Sequence, residues 1–88
     1  MATTVKLLGA VVASHASNGM NVGSATMVKV LAGTAANLEV HTASKAALLG
    51  SVGMVAGESI YIEKNPTDEL AASDNATSWK FTAVALGG

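Results

Sequence analysis

Two histidines, His15 and His41, are the side chains that could act as bases near neutral pH. His15 follows Ser14, and neighbouring residues of an extended chain point to opposite sides, so the two do not form a nucleophile–base pair. His41 lies two residues after Glu39 in an alternating segment, so the two side chains share a face. Such a pair could orient a base or bind a metal. The simpler interpretation, which we favour, is a polar sheet surface with Glu39 and His41 pointing outward.

Three carboxylates, Asp68, Glu69 and Asp74, lie close together in the sequence and raise the question of calcium binding. Their spacing does not match the calcium loop of EF-hands, and no glutamate stands at its twelfth position. We therefore interpret them as solvated loop carboxylates. The glycines between residues 50 and 57 do not match a phosphate-binding loop, and the chain has no cysteine. The sequence predicts no catalytic residue, no metal site and no cofactor.

Half of the 88 residues are hydrophobic, with 12% charged and 3% aromatic, and the mean hydropathy is +0.44. An average domain is about a quarter charged, and a disordered chain is poor in apolar residues, so this composition excludes intrinsic disorder. A net charge of −1, with five lysines and no arginine, argues against a nucleic-acid partner. A chain of this size buries only about two-thirds of its surface. We therefore expect one small apolar domain that gains stability from its neighbours.

The run after Lys6, residues 7–13, resembles the apolar part of a signal peptide but is short and contains a glycine. We interpret it as a first strand. No stretch approaches the roughly 18 apolar residues of a membrane helix, so no membrane partner is expected.

Short segments of alternating apolar and polar residues, separated by turn residues, are typical of strands. They cover residues 3–13, 25–32, 37–42, 49–55, 59–64, 68–73 and 78–86. The second and third predict a β-hairpin across residues 33–35, whereas residues 44–49 predict a bend or short helical turn. The pattern favours one antiparallel all-β domain, a small sandwich or barrel of about six to seven short strands. Residues 1–24 are predicted as an N-terminal strand or arm with a polar loop, and residues 25–88 as the sandwich core.

The aromatic residues divide between the predicted core and the surface. Trp79 and Phe81 share a strand face, which predicts that both are buried. Tyr61 points away from Ile60 and Ile62, which favours the surface. Because tyrosine is enriched at protein interfaces, Tyr61 is a predicted interface residue.

Residues 57–70 combine a glycine–acid turn, an apolar strand and Lys64-Asn65-Pro66-Thr67-Asp68, and an Ala-rich apolar strand ends the chain. This arrangement resembles small virion proteins of tailed bacteriophages. The predicted hairpin of Met27–Leu31 and Leu38–Thr42, with the glycine-containing strand Leu49–Met54, is similar to the same group.

The resemblance covers roughly residues 25–88 and implies a capsid decoration (cement) protein without catalytic residues or cofactors. Such a protein is made in the host cytoplasm and lies on the outside of the capsid. The implied partners are the major capsid protein, or another virion protein, and further copies of this chain, with a trimer as one arrangement. A neck or tail component is the alternative within this class. A small β-sandwich module that binds glycans or a host surface, through Tyr61, Trp79 and the polar loops, is the alternative from another class.

The N-terminal segment is the predicted source of contacts with a partner. Its apolar, β-branched run could add as a strand to an exposed sheet edge of a neighbour, so residues 2–13 are predicted to act as an arm. The predicted interface residues are Val5, Leu7, Leu8, Val11 and Tyr61.

Overall fold

The chain folds as an all-β domain, as predicted. The computed structural model describes residues 4–87, and their elements are β1 Thr4–Leu7, β2 Val12–Ala13, β3 Met27–Leu31, β4 Ala36–His41, a 3₁₀ helix Ala43–Lys45, β5 Leu48–Met54, β6 Ser59–Glu63, β7 Glu69–Ala72 and β8 Lys80–Gly87. The run predicted as one first strand is divided into β1 and β2, so the described residues contain eight short strands. Residues 2 and 3 of the predicted arm lie outside the described residues.

The strands form two antiparallel sheets. The larger has the order β1-β8-β3-β6, with β2 also paired to β8 beside β1. The smaller has the order β5-β4-β7. Residues 4–7 and 12–13, within the predicted arm, therefore pair with the chain's own β8.

The predicted hairpin of the second and third strands is wrong, because β3 and β4 lie in different sheets. The chain leaves β3 at Ala32, which exchanges two backbone hydrogen bonds with residues 57 and 58 ahead of β6. It then passes so close to Ser78 that a Cβ on Gly33 would come within 2.6 Å of the Ser78 backbone. Because of this crossing, Val30 of the larger sheet and Leu38 of the smaller sheet both point into the core between the sheets. In a hairpin the two strands would lie side by side in one sheet.

The core lies between the two sheets and contains both predicted aromatic residues. Trp79 and Phe81 are fully buried, as predicted, and they are the largest side chains of the core. The other members of the core are aliphatic or small: Val22, Ala25, Val28, Val30, Ala32, Leu38, Met54, Leu70 and Ala72. Ile60 and Ile62 are half-buried against it, which also matches their predicted inward direction. A core with so few large side chains depends strongly on each of them.

We expect Leu38→Ala to destabilise the domain by about 2–5 kcal/mol, because the Leu38 side chain is 1% exposed and its loss leaves a cavity. Val55→Ala is the control, since Val55 is 65% exposed, and its effect should stay within about 0.5 kcal/mol. Urea unfolding of both variants measures the difference. Equal midpoints for the two variants would contradict the described core.

Candidate interaction surfaces

His41 and Glu39 form the closest acid–base pair, with 3.0 Å between His41 Nε2 and Glu39 Oε1. The prediction that His41 points into solvent is wrong, because His41 is only 9% exposed and Glu39 is half-buried. The ladder between β4 and β5 shifts register after Val40, and the chain then turns back through the 3₁₀ helix, which contacts β7. His41 is the last residue of β4, the middle strand of the smaller sheet, where it lies opposite Leu48 of β5 and Glu69 of β7. Within residues 4–87, no third acid, histidine or cysteine joins the pair to form a metal-binding group.

His15 is exposed, and its Nδ1 accepts hydrogen bonds from the backbone N–H groups of Ser17 and Asn18, both at 3.1 Å. Ser14 is buried, and its hydroxyl donates to the Ala76 carbonyl at 2.7 Å. The two neighbours therefore face different surroundings, and each stabilises a loop.

The distinctive segment Lys64–Asp68 is a turn whose first and last side chains are buried, whereas the three residues between them are exposed. The Lys64 Nζ donates to the carbonyl oxygens of Ala25, at 2.7 Å, and Asn65, at 3.3 Å. Burial lowers the pKa of Lys64, although Asp68 and Glu69 oppose the effect. Asp68 is buried and accepts the Asn65 N–H at 3.2 Å, so its interpretation as a solvated carboxylate is wrong. Lys64 connects the turn before β7 to the segment before β3, and Asp68 closes the turn itself.

Asp74 is an exposed carboxylate that supports the buried tryptophan. The Trp79 indole N–H donates to Thr34 Oγ1 at 2.8 Å, and the Thr34 hydroxyl donates to Asp74 Oδ2 at 2.7 Å. Asp74 Oδ1 also accepts the Ala76 N–H at 3.1 Å. The Thr34 hydrogen bond is the main reason why the pKa of Asp74 is lowered. This chain of bonds joins the loop after β3 to the segment that precedes β8.

Three of the five predicted interface residues lie on the outer face of the larger sheet. In the register of the strands, Leu7 lies opposite Val84, and Tyr61 lies opposite Lys29, which in turn lies opposite Thr82. Val84 and Thr82 are two residues apart on β8, so all of these side chains share the face that points away from Phe81. Leu7 is 70% exposed and Tyr61 is 51% exposed.

Val5 is half-buried and follows the same alternation as Leu7, and the exposed Leu31 follows that of Lys29. We call this set of Val5, Leu7, Leu31, Tyr61 and Val84 the outer apolar face. Val84 is 1% exposed although it lies outside the main core, so part of this face is already well packed.

Leu8 and Val11 are exposed in the segment between β1 and β2. Leu8 lines an open, mainly apolar groove of about 470 Å³, together with Val12, Val22 and Ala83. The predicted interface residues are thus all at least partly accessible, but they divide between two places.

Sequence reasoning missed the exposed strand β5. Leu48, Leu49, Val52 and the following Val55 are all exposed, and β5 forms one edge of the smaller sheet. The composition predicts more apolar side chains than the core can bury, but it does not locate them. Only the strand order shows that β5 is an edge strand.

The fold and these surfaces define a small antiparallel β-sandwich with exposed apolar side chains on both sheets. Comparison of the chain with protein-family models, curated proteins and solved structures finds no match. Among residues 4–87, no helix has the length and apolarity needed to cross a membrane.

We expect acid to weaken the sandwich through Asp74. Because the folded-state pKa of Asp74 is lowered, its contribution to the free energy of unfolding is complete above the unfolded pKa and is lost as pH falls through the folded pKa. Asp74→Asn removes this titration while keeping an acceptor for the Thr34 hydroxyl. Unfolding midpoints between pH 2 and pH 7 should therefore fall less steeply in the variant than in the wild type.

Glu63→Gln is the control for this measurement, since Glu63 is an exposed carboxylate of β6 without a hydrogen bond to the Thr34–Trp79 pair. Its acid profile should follow the wild type. Identical slopes for Asp74→Asn and the wild type would contradict the role assigned to Asp74.

Proposed function

We propose that this chain is a non-enzymatic structural protein of a phage virion, most specifically a capsid decoration protein that binds the outside of the head shell. The observation that carries the proposal is the outer apolar face, where three predicted interface residues lie on the same face of one broad sheet, Val5 and Leu7 on β1 and Tyr61 on β6, with Lys29 and Thr82 between these strands. A protein that covers joints between shell subunits needs such an extended contact face, and shell binding adds to its stability by mass action.

The described side chains also favour binding over catalysis. The closest acid–base pair, Glu39 and His41, is largely buried on the middle strand β4, and His15 is engaged by backbone groups. Catalytic groups normally converge in an accessible cleft, which these residues do not do. The chemistry of the described residues therefore gives an enzyme little support.

The burial of Trp79 weakens the case for a glycan-binding module, which the sequence leaves open as an alternative. Aromatic rings that bind sugars must be accessible, but Trp79 is fully buried and its indole N–H is bonded to Thr34. Tyr61 alone stays available on the larger sheet. A neck or tail component would use the same outer apolar face and is distinguished by its copy number in the particle.

The test is binding of the purified chain to shells assembled from the major capsid protein encoded with it, without decoration protein. We expect saturable binding at hundreds of copies per shell. Leu7→Asp and Tyr61→Asp should each weaken binding by about tenfold or more, because a buried charge would replace an apolar contact. Point substitutions are preferable to deletion of residues 2–13, because β1 and β2 pair with β8.

Val55→Asp is the matched control, since Val55 is as exposed as Leu7 but lies next to the smaller sheet. It should bind shells like the wild type. A folded wild-type chain that ignores the shells would refute the decoration role, and saturation at a few copies at one vertex would favour a neck or tail position.

A further inference from the structure

The strand β5 is an unusually open sheet edge. Within the described residues it pairs only with β4, and every residue from Leu48 to Gly53 is exposed. Edge strands of stable monomers are normally shielded by a charge, a proline or a covering segment. Residues 48–54 contain neither a charge nor a proline. The edge strands of the larger sheet differ, since β1 contains Lys6 and β6 contains Glu63.

The direction of the free backbone groups follows from the neighbouring strands. The Asn37 carbonyl accepts the Ser73 N–H at 2.8 Å, so the backbone of Asn37 faces the β7 side of β4. Because these directions alternate along a strand, the backbone of Leu38 faces β5, and its partner Val52 faces back toward β4. The N–H and C=O groups of Ser51 and Gly53 therefore point away from the sheet, where a further strand could pair with them.

We propose that β5 pairs antiparallel with β5 of a second copy of this chain, about a two-fold axis at Ser51. In this register Ser51 lies opposite Ser51, Leu49 lies opposite Gly53, and Gly50 lies opposite Val52. Each glycine thus faces a branched apolar side chain of the other copy. A Cβ on Gly50 would meet nothing within 4 Å, so space exists beside that glycine for the opposite side chain.

The absence of charge along β5 also permits pairing with a second copy. Residues 48–54 contain no charged side chain, so no like charges oppose each other when two copies of β5 pair. Lys45, the nearest charge before the strand, lies in the 3₁₀ helix beside β7 and stays outside the contact. The two-fold contact uses the same strand on both copies and therefore closes at a dimer, in contrast to the trimer expected from the resemblance.

The interface is small. The strand β5 has seven residues that rise about 3.4 Å each, so the paired strands are about 24 Å long. A standard interface buries roughly 800 Å² per partner, and one pair of strands of this length buries less than that. The dimer should therefore dissociate on dilution. It does not depend on the proposed capsid function, because the outer apolar face belongs to the other sheet.

The first test is cross-linking of Ser51→Cys, which introduces the only cysteine of the chain. Directly opposed residues of a hydrogen-bonded antiparallel pair lie about 5.5 Å apart between Cα atoms, which permits a disulfide. We expect mild oxidation to convert most of this variant to a covalent dimer. Ser59→Cys is the matched control, because Ser59 is also an exposed serine but lies on the β6 edge of the larger sheet. Equal cross-linking of both variants would overturn the proposal.

The second test is the mass of the full chain in solution, measured by sedimentation over a range of concentrations. The wild type should rise from 8.7 kDa toward twice that mass as the concentration increases. Ser51→Lys places two lysines opposite each other and should shift the dissociation constant by about tenfold or more, whereas Ser59→Lys should not change it. A wild type that stays at 8.7 kDa at millimolar concentration, or a dimer insensitive to Ser51→Lys, would show that β5 does not pair in this way.

Discussion

The structure depends on the burial of two aromatic rings at the beginning of one strand. Trp79 and Phe81 are the bulkiest side chains of the core, and β8, which begins between them, pairs with β1, β2 and β3. The larger sheet is therefore assembled around the strand that carries Phe81 and directly follows Trp79. The smaller sheet contributes aliphatic side chains such as Leu38 and Leu70, which pack against the rings from the other side. Few other residues of this Ala- and Val-rich chain could replace that contribution.

Hydrogen bonds fix the buried tryptophan in a way that hydrophobic packing alone would not. An indole N–H without a partner in the core would be costly, and Thr34 provides the acceptor. Thr34 belongs to the segment that crosses between the sheets, so satisfying the indole also fixes the crossing. Lys64 has a comparable role at the other end of β6, where its ammonium group binds carbonyl oxygens of two segments. Single polar side chains, Thr34 and Lys64, thus help to determine how the two sheets are connected.

Alternation in the sequence was sufficient to predict the class of fold, most strand positions and the direction of several side chains. Trp79 and Phe81 are buried as the pattern predicts, and Tyr61 is exposed. The predicted hairpin failed because turn residues do not reveal whether a chain returns to the same sheet or crosses to the other. The prediction for His41 failed because alternation does not show that β4 is the middle strand of its sheet, flanked by β5 and β7. Edge strands depend on strand order, so the exposure of β5 had no local signal.

The pairing of β1 with β8 places Thr4 directly opposite Gly87, so the two ends of the described chain meet at one corner of the larger sheet. The order of the strands along the chain could therefore be changed without changing which strands pair. A linker between the ends, with a new opening in the exposed turn around Gly57, would change the order of the strands along the chain and keep every strand pair. Any peptide fused to either end would leave the sandwich from that same corner. Both ends are distant along the chain from β5 and from the loop that joins the sheets.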